Sequence, residues 1–349
     1  MPASINLSTL TTLGLGGPAP SLTVAATDDE ICAAVAEADF AGAPLLVVGG
    51  GSNLVIADEG IAGPVVQVAN TGVSAVRDGD DLLVTAAAGV NWDELVAQFC
   101  GEGWSGIEFL SGIPGSTGAT PVQNVGAYGM EVSEVLENVT VFDRATRGVQ
   151  LLHTDQLQLG YRSSVLRGSD RAVVLRIQMR LSRRETPVKY AELAKSLGVA
   201  PGESVPPAVV RECVLGLRRS KGMVLDPGDP DSRSAGSFFT NPLLSAEQAR
   251  EADGRIRGAL GSDVSYPHFP AGDRVKLSAA WLIERAGFGK GFHLGAGAGV
   301  STKHTLALVN RGGTTRDLVN LARYIRDGVV AKFGVTLIPE PVFVGVTLD

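Results

Sequence analysis

Cysteine is scarce in this chain of 349 residues: there are three, Cys32, Cys100 and Cys213. An odd number without metal-ligand spacing argues against a disulfide framework and for buried thiols in a reducing compartment. Histidine is as thin. His153, His268, His293 and His304 make no H-x-x-x-H pair and none stands with a cysteine at ligand spacing, so no metal site is expected. Positive charge is in deficit, with a formal net charge of −7. That balance disfavours nucleic acid or an anionic membrane as the main partner, although "RRSK" (218–221) is a local basic cluster. No apolar run approaches the roughly 20 residues that span a bilayer. "MPASINLSTLTTLGLGGPAP" has neither the basic leader nor the apolar run of a signal peptide. A soluble cytoplasmic protein is expected.

Apolar residues make up 44% of the chain, and its length suits two or three domains. Residues 21–70 read as strand, helix, strand, strand, with a capping box of Thr27 and Glu30 ahead of "DDEICAAVAEA". "VSAVRDGDDLLVTAAAG" reads as a hairpin turning at "DGD", and Asn91 with Glu94 caps a second helix. "VTVFD", "GVQLLH" and "AVVLRIQMRLS" read as strands, followed by a helix over 206–221. The section from 223 to 332 reads as helix-rich, including "VKLSAAWLIERAG". "VTLIPEPVFVGVTLD" reads as a strand pair broken by prolines that returns to an earlier sheet. The fold class is α+β, with several sheets.

Two glycine-rich stretches carry chemistry. In "VVGGGSNLVIAD" (47–58), three glycines follow an apolar strand, and flexible residues let successive N–H groups converge on an anion. A dinucleotide-binding G-x-G-x-x-G is ruled out, because Leu54 takes the place of the third glycine and "LVIA" continues as strand. A tight glycine turn is the bland alternative. "SGIPGSTGATPVQNVGAYG" (111–129) is a long loop dense in donors and poor in charge, which favours binding over a solvent-exposed linker. Tyr161 and Arg162 in "LGYRSSVLR" would face opposite ways in a strand. The arginine is either a surface ion pair or a fork for an anion. Glu340 sits between prolines in "IPEPVF", a poor setting for a surface carboxylate. Ser237 in "SAGSFFTNP" lacks a G-x-S-x-G elbow, which leaves a structural serine or a proton donor as the readings.

In order along the chain, "TTLGLGGPA", "VVGGGSNLVIAD", "IPGSTGATPVQNVGAYG", "LGYRSSVLR", "SAGSFFTNP" and "IPEPVF" resemble the UDP-N-acetylenolpyruvoylglucosamine reductases (MurB). "VKYAELAKSLG" is similar to the longer form of that family, which carries a tyrosine loop. The resemblance spans essentially the whole chain. The second proline of "IPEPVF" and the stretch "GFHLGAGAGVSTKHTLALVN" depart from the family's pattern.

The resemblance implies three domains. Residues 1–72 with 335–349 and residues 73–222 would be two FAD-binding subdomains of the vanillyl-alcohol-oxidase type, and 223–334 an α+β substrate domain. It implies non-covalent FAD and NADPH as co-substrate, in a monomeric enzyme of peptidoglycan precursor synthesis, and so of cell-wall biogenesis, shape and division. FAD contacts would come from Gly49, Gly50, Gly51, Ser52, Asn53 and Leu54. Further contacts would come from Pro114, Gly115, Ser116, Gly118, Ala119, Gln123, Asn124, Gly126, Ala127 and Tyr128. Hydride would add to C3 of an enolpyruvyl group on a UDP-linked sugar, with Ser237 protonating C2. Arg162 and Glu340 would be its catalytic companions, the latter as a hydrogen-bond donor. Tyr161, Tyr190, Lys221, Asn241 and Tyr266 would contact the substrate, and Arg218 and Arg219 would add positive potential. An oxidase on the same scaffold should lack the serine motif and offer a covalent flavin attachment. A non-catalytic flavin binder would leave Ser237, Arg162 and Glu340 without a shared purpose.

Overall fold

The computed structural model describes residues 5–349, so residues 1–4 of the stretch weighed above as a leader lie outside the described residues. In chain order the first elements are β1 (Leu22–Ala25), α1 (Asp28–Phe40), β2 (Leu46–Val48), β3 (Leu54–Ile56) and β4 (Val65–Val68). Next come β5 (Val73–Asp78), β6 (Asp81–Ala87), α2 (Trp92–Gly101), β7 (Leu136–Asp143), β8 (Gly148–His153) and β9 (Ala172–Ser182). Then follow α3 (Ala191–Leu197), α4 (Pro207–Ser220), β10 (Ser234–Ser237), α5 (Ala246–Leu260), β11 (His268–Ala271) and β12 (Arg274–Leu277). The last are α6 (Ala279–Ala286), β13 (Ala298–Val300), β14 (Ala307–Asn310), α7 (Thr315–Phe333) and β15 (Val342–Val344). The expected α+β class holds. No helix among the described residues is long and apolar enough to cross a membrane.

Two compact units result. The first holds Ala19–Gly51 and Ile61–Ser220. Its parallel sheet runs β1-β4-β2, and its antiparallel sheet runs β8-β7-β9-β6-β5. Alternation along β6 and β9 sends Val84, Ala86, Ile177, Met179 and Leu181 inward, where they pack with Trp92, Phe99 and Phe109. Thr27 Oγ1 caps α1 by accepting from Glu30 N at 3.2 Å. The Glu30 carboxylate reaches one residue further back than a capping box requires, to Ala26 N at 2.7 Å. Cys100 is buried, whereas Cys32 and Cys213 are only half-buried, against the expectation for all three thiols.

The second unit holds Asn6–Pro18, Ser52–Gly60 and Lys221–Asp349. The section expected to be helix-rich carries more strands than helices: β10 to β14 and the short strand Leu243–Leu244 stand beside α5, α6 and α7. "VKL" is β12, not the start of a helix, because it alternates in a sheet with β11 and Leu243–Leu244. Ser278 then caps α6 through Trp281 N. Helix α7 buries Leu318, Leu321, Ile325, Val329 and Phe333, three or four residues apart, as an amphipathic helix should. Its N-terminus is held by Asp58, whose carboxylate accepts from Thr315 N (2.7 Å) and Arg316 N (3.0 Å). A carboxylate there satisfies orphan amides and the positive end of the helix dipole. The terminal segment is one strand rather than a pair: β15 lies parallel to β3, with Val342 opposite Leu54.

Asp231 pins the approach to β10. Its buried carboxylate accepts from Thr302 N (3.0 Å) and Thr302 Oγ1 (2.5 Å), and pairs with Arg311. Burial works against its charge, but Thr302 and Arg311 outweigh it and hold the group below the usual carboxylate range. The contribution is therefore present above the unfolded value of about 3.9 and fades as pH falls below it. Asp231→Asn should lose about 2 kcal/mol at pH 7, less than a fully buried pair because Arg311 is partly exposed. Urea melts at pH 7 and pH 3 check this: the gap between variant and parent should narrow at pH 3. A gap that stays constant would remove the charge from the explanation.

Candidate active site

Strand β2 ends at Val48 and delivers Gly49–Gly51 to the surface of the first unit. Close approach requires glycine at 49 and 50, and a positive φ favours it at 51. A Cβ on Gly50 would stand 2.6 Å from Gly115 Cα and 3.0 Å from its carbonyl carbon. Those atoms are backbone and cannot swing away. A Cβ on Gly49 would fall 2.2 Å from Ser116 Oγ, and Gly51 has φ +61°. The two glycine-rich stretches are thus pressed together, backbone on backbone, in a cradle whose close contact leaves no room for a side chain at Gly50.

The second stretch is rigidly held. Trp92 N donates to Gly115 O (3.1 Å), Thr117 N and Oγ1 both donate to Val90 O (2.8 and 2.9 Å), and Gly118 N donates to Ala88 O (2.8 Å). Gly118 packs so tightly that a Cβ would come 2.4 Å from that of Ala88. Gly112 N is fixed by Asp93, whose carboxylate also takes a two-pronged bond from Arg211 on α4. Burial raises the Asp93 pKa, but the Arg211 fork outweighs it and leaves the group ionised below the usual range. The Asn124 side chain is spent inside the protein: its amide donates to Glu131 and Gly160 O, and its oxygen accepts from Ser133 N. It braces the loop, so a ligand contact there would have to use its backbone.

Arg162 joins this loop from the turn Gly160–Ser163, which is closed by bonds in both directions between those two residues. It is not in a strand, and its φ of +52° is a left-handed value uncommon outside glycine. The guanidinium donates to Gly126 O at 2.7 Å and lies over the Tyr161 ring at 5.3 Å, so the two side chains are neighbours and do not diverge as in a strand. Tyr190 is the residue before α3, not part of a free loop. Val188 is bound on both sides to the 202–203 turn, and Leu193 and Ala194 are buried. Arg218 was read only as a source of potential. Its Nε is fully buried, and desolvation lowers its pKa against the opposing pull of Tyr128 and Asp93. A lone "RR" on a helix offered no signal that one of the pair turns inward.

In the second unit, Ser237 closes β10. Register slips between Ser234 and Ser237, and Gly236 takes φ +73°, so a bulge re-aims the serine. Phe238 and Phe239 on its far side are fully buried, with Phe343 edge-on to Phe238. Ser237 itself is half-buried. The segment beside it contains Glu340. Glu340 N donates to Phe238 O at 2.9 Å, and Thr240 N donates to Ile338 O at 3.0 Å. With proline at 339 and 341, the Glu340 N–H is the single backbone donor of the three residues. Beyond it the chain changes partner: Val342 N donates to Asn53 O (2.9 Å), and Asn53 Nδ2 donates to Glu340 O (3.4 Å). Ser237, Glu340 and Asn53 are brought together. Ser52 and Leu54 flank Asn53 at the start of β3, and Lys221 follows α4 directly. Asn241 accepts from Ala279 N at the start of α6. The Tyr266 hydroxyl donates to Asp253 on α5 at 2.8 Å, and its pKa is pushed up to about 12 by burial and that bond.

The cradle of residues 49–51 and the 111–129 loop is the candidate site for a large cofactor. An FAD binding domain model matches residues 20–150, and the chain is an FAD-dependent oxidoreductase. The model of the UDP-N-acetylenolpyruvoylglucosamine reductase C-terminal domain matches residues 229–344. A UDP-N-acetylenolpyruvoylglucosamine reductase of Thermobifida fusca is 54% identical over 99% of this chain and 98% of its own. One of Saccharopolyspora erythraea is 56% identical over 98% and 95%. The crystal structure of the Thermus caldophilus reductase matches with a TM-score of 0.65 at 25% identity, covering 98% of each chain. The chain belongs to the UDP-N-acetylenolpyruvoylglucosamine reductase family, flavoproteins of peptidoglycan precursor synthesis.

If the cradle holds FAD, Gly50→Val should abolish stoichiometric flavin, since its side chain must displace the 115–116 backbone. Flavin absorbance released on denaturation measures this. Full flavin content in the variant would remove residues 49–51 from the binding site.

Proposed function

We propose that this enzyme reduces the enolpyruvyl group of UDP-N-acetylglucosamine enolpyruvate to UDP-N-acetylmuramate, with Ser237 delivering the proton to C2. The bond from Glu340 N to Phe238 O carries the reading, because it ties the backbone of Glu340 to the residue that follows Ser237. FAD would be held by Gly49–Leu54 and by Pro114–Tyr128, where the backbone cradle fits it. FAD, when bound, would supply the hydride chemistry that links NADPH to C3 of the enolpyruvyl double bond.

The residues of the chain manage charge and protons. Hydride arriving at C3 leaves enolate character at C2, beside the substrate carboxylate. Arg162 bonds that carboxylate and the charge that spreads onto it, in a site where water is scarce. Its guanidinium is already aimed by Gly126 O and the Tyr161 ring, so little reorganisation is needed. Glu340, as the acid, shares the load by donating a hydrogen bond. Ser237 gives its proton to C2; a hydroxyl is a weak acid, but the enolate is a strong base. The rigid Phe238–Phe239 pair fixes the serine, and the bulge at Gly236 turns it out of the sheet.

Tyr190, Lys221, Asn241 and Tyr266 contact the UDP sugar, and "VKYAELAKSLG" marks the form of the family with a tyrosine segment. The Tyr266 hydroxyl must leave Asp253 to reach a diphosphate, or else contribute its ring. Arg218 and Arg219 offset the negative charge of the chain near the diphosphate. In this reading residues 1–72 with 335–349 and residues 73–222 grip FAD, 223–334 receive the substrate, and the enzyme works as a cytoplasmic monomer.

The two half-reactions separate these roles. In Ser237→Ala, anaerobic NADPH should still bleach the flavin, while its reoxidation by the UDP substrate slows by about 10²–10⁴. Stopped-flow absorbance follows both. Equal losses in the two halves, or a loss under about threefold in reoxidation, would return Ser237 to a structural role.

A further inference from the structure

Residues Gly126–Ala127 and Met130–Glu131 pair as a hairpin whose two-residue loop is Tyr128–Gly129. Both loop residues have positive φ, +51° and +84°, the signature of a type I′ turn. Asn, Asp or Gly fits the first position of such a turn, and a tyrosine there is conformationally unfavourable. Something other than the turn must explain the aromatic side chain. Its ring meets Tyr190 edge-on, with centroids 5.7 Å apart and planes at 89°. Gly129 lies under the same residue: a Cβ there would be 3.6 Å from Tyr190 Cβ and 4.0 Å from Lys189 Cβ. Tyr190 stands at the corner between two fixed points, Val188 and the buried Leu193–Ala194 pair, and is itself 43% exposed. The ring of Tyr128 is the contact that decides where the Tyr190 side chain stands at that corner.

We infer that Tyr128 is a positioning residue for Tyr190. The same turn that closes the cofactor loop sets the tyrosine that meets the substrate, so the two sites share one mechanical element. This rests on the reading of Tyr190 as a substrate contact. An edge-to-face pair shifts an equilibrium by roughly 2- to 10-fold.

The test uses the FAD-loaded enzyme and two substitutions. Tyr128→Asn suits the turn and removes the ring, while Tyr128→Phe keeps the ring. In Tyr128→Asn, KM for the UDP substrate should rise roughly 2- to 10-fold with a smaller change in kcat, as expected when binding shared by ground and transition states is lost. Amide hydrogen exchange at residues 189–194 should accelerate by a similar factor, and Tyr128→Phe should restore most of both. The coupling is reciprocal, so Tyr190→Ala should speed exchange at residues 128–131. A raised KM in Tyr190→Ala, together with parental KM and exchange in Tyr128→Asn, would overturn this inference alone. An unchanged KM in Tyr190→Ala would overturn the substrate reading and take the inference with it.

Discussion

One backbone hydrogen bond, from Glu340 N to Phe238 O, organises the chain around Ser237 and Glu340 in the second unit. It forms where it does because prolines on both sides leave Glu340 the single donor of its segment, and because Phe238 is immobile in the core. The same extended segment then passes to Asn53 and β3. A glutamate, a serine and the end of the glycine stretch are thereby set along one frame of main-chain bonds, with the Asn53 side chain adding a bond to Glu340 O. Side-chain substitutions in this region can alter the chemistry without moving the frame, which makes the site amenable to dissection.

The first unit obeys a different constraint. Gly50 and Gly115 touch backbone to backbone, and everything from Gly112 to Gly118 is tied to the start of α2 or the end of β6. A cradle built this way is held by main-chain contacts and has no room for a larger side chain at Gly50 or Gly118. Arg162 is anchored on the same loop through Gly126 O, at the expense of a left-handed backbone conformation.

Much of this was legible in the sequence, and the failures are instructive. Strands with strong alternation, such as β9, and helices with clear caps, such as α2, follow their local pattern because packing agrees with it. "VKL" misled because a short apolar–polar alternation before a capped helix can join it or stand apart, and sheet pairing alone decides. The prolines around Glu340 suggested an interruption; in the fold they permit one strand to change partners. Tyr161 and Arg162 were legible as residue types but not in direction, since the Arg162 side chain is aimed by a long-range bond to Gly126 O. The inward turn of Arg218 and the Tyr128–Tyr190 contact are tertiary facts with no periodic signature.

The identity of the proton donor is the central claim, and replacing the hydroxyl by a thiol tests it most directly. Ser237→Cys should reoxidise NADPH-reduced flavin with the UDP substrate about tenfold or more faster than Ser237→Ala, because a thiol can also surrender a proton. Flavin content and reduction by NADPH should be the same in both. Equal reoxidation rates in the alanine and cysteine variants would contradict Ser237 as the donor and assign the proton to another group.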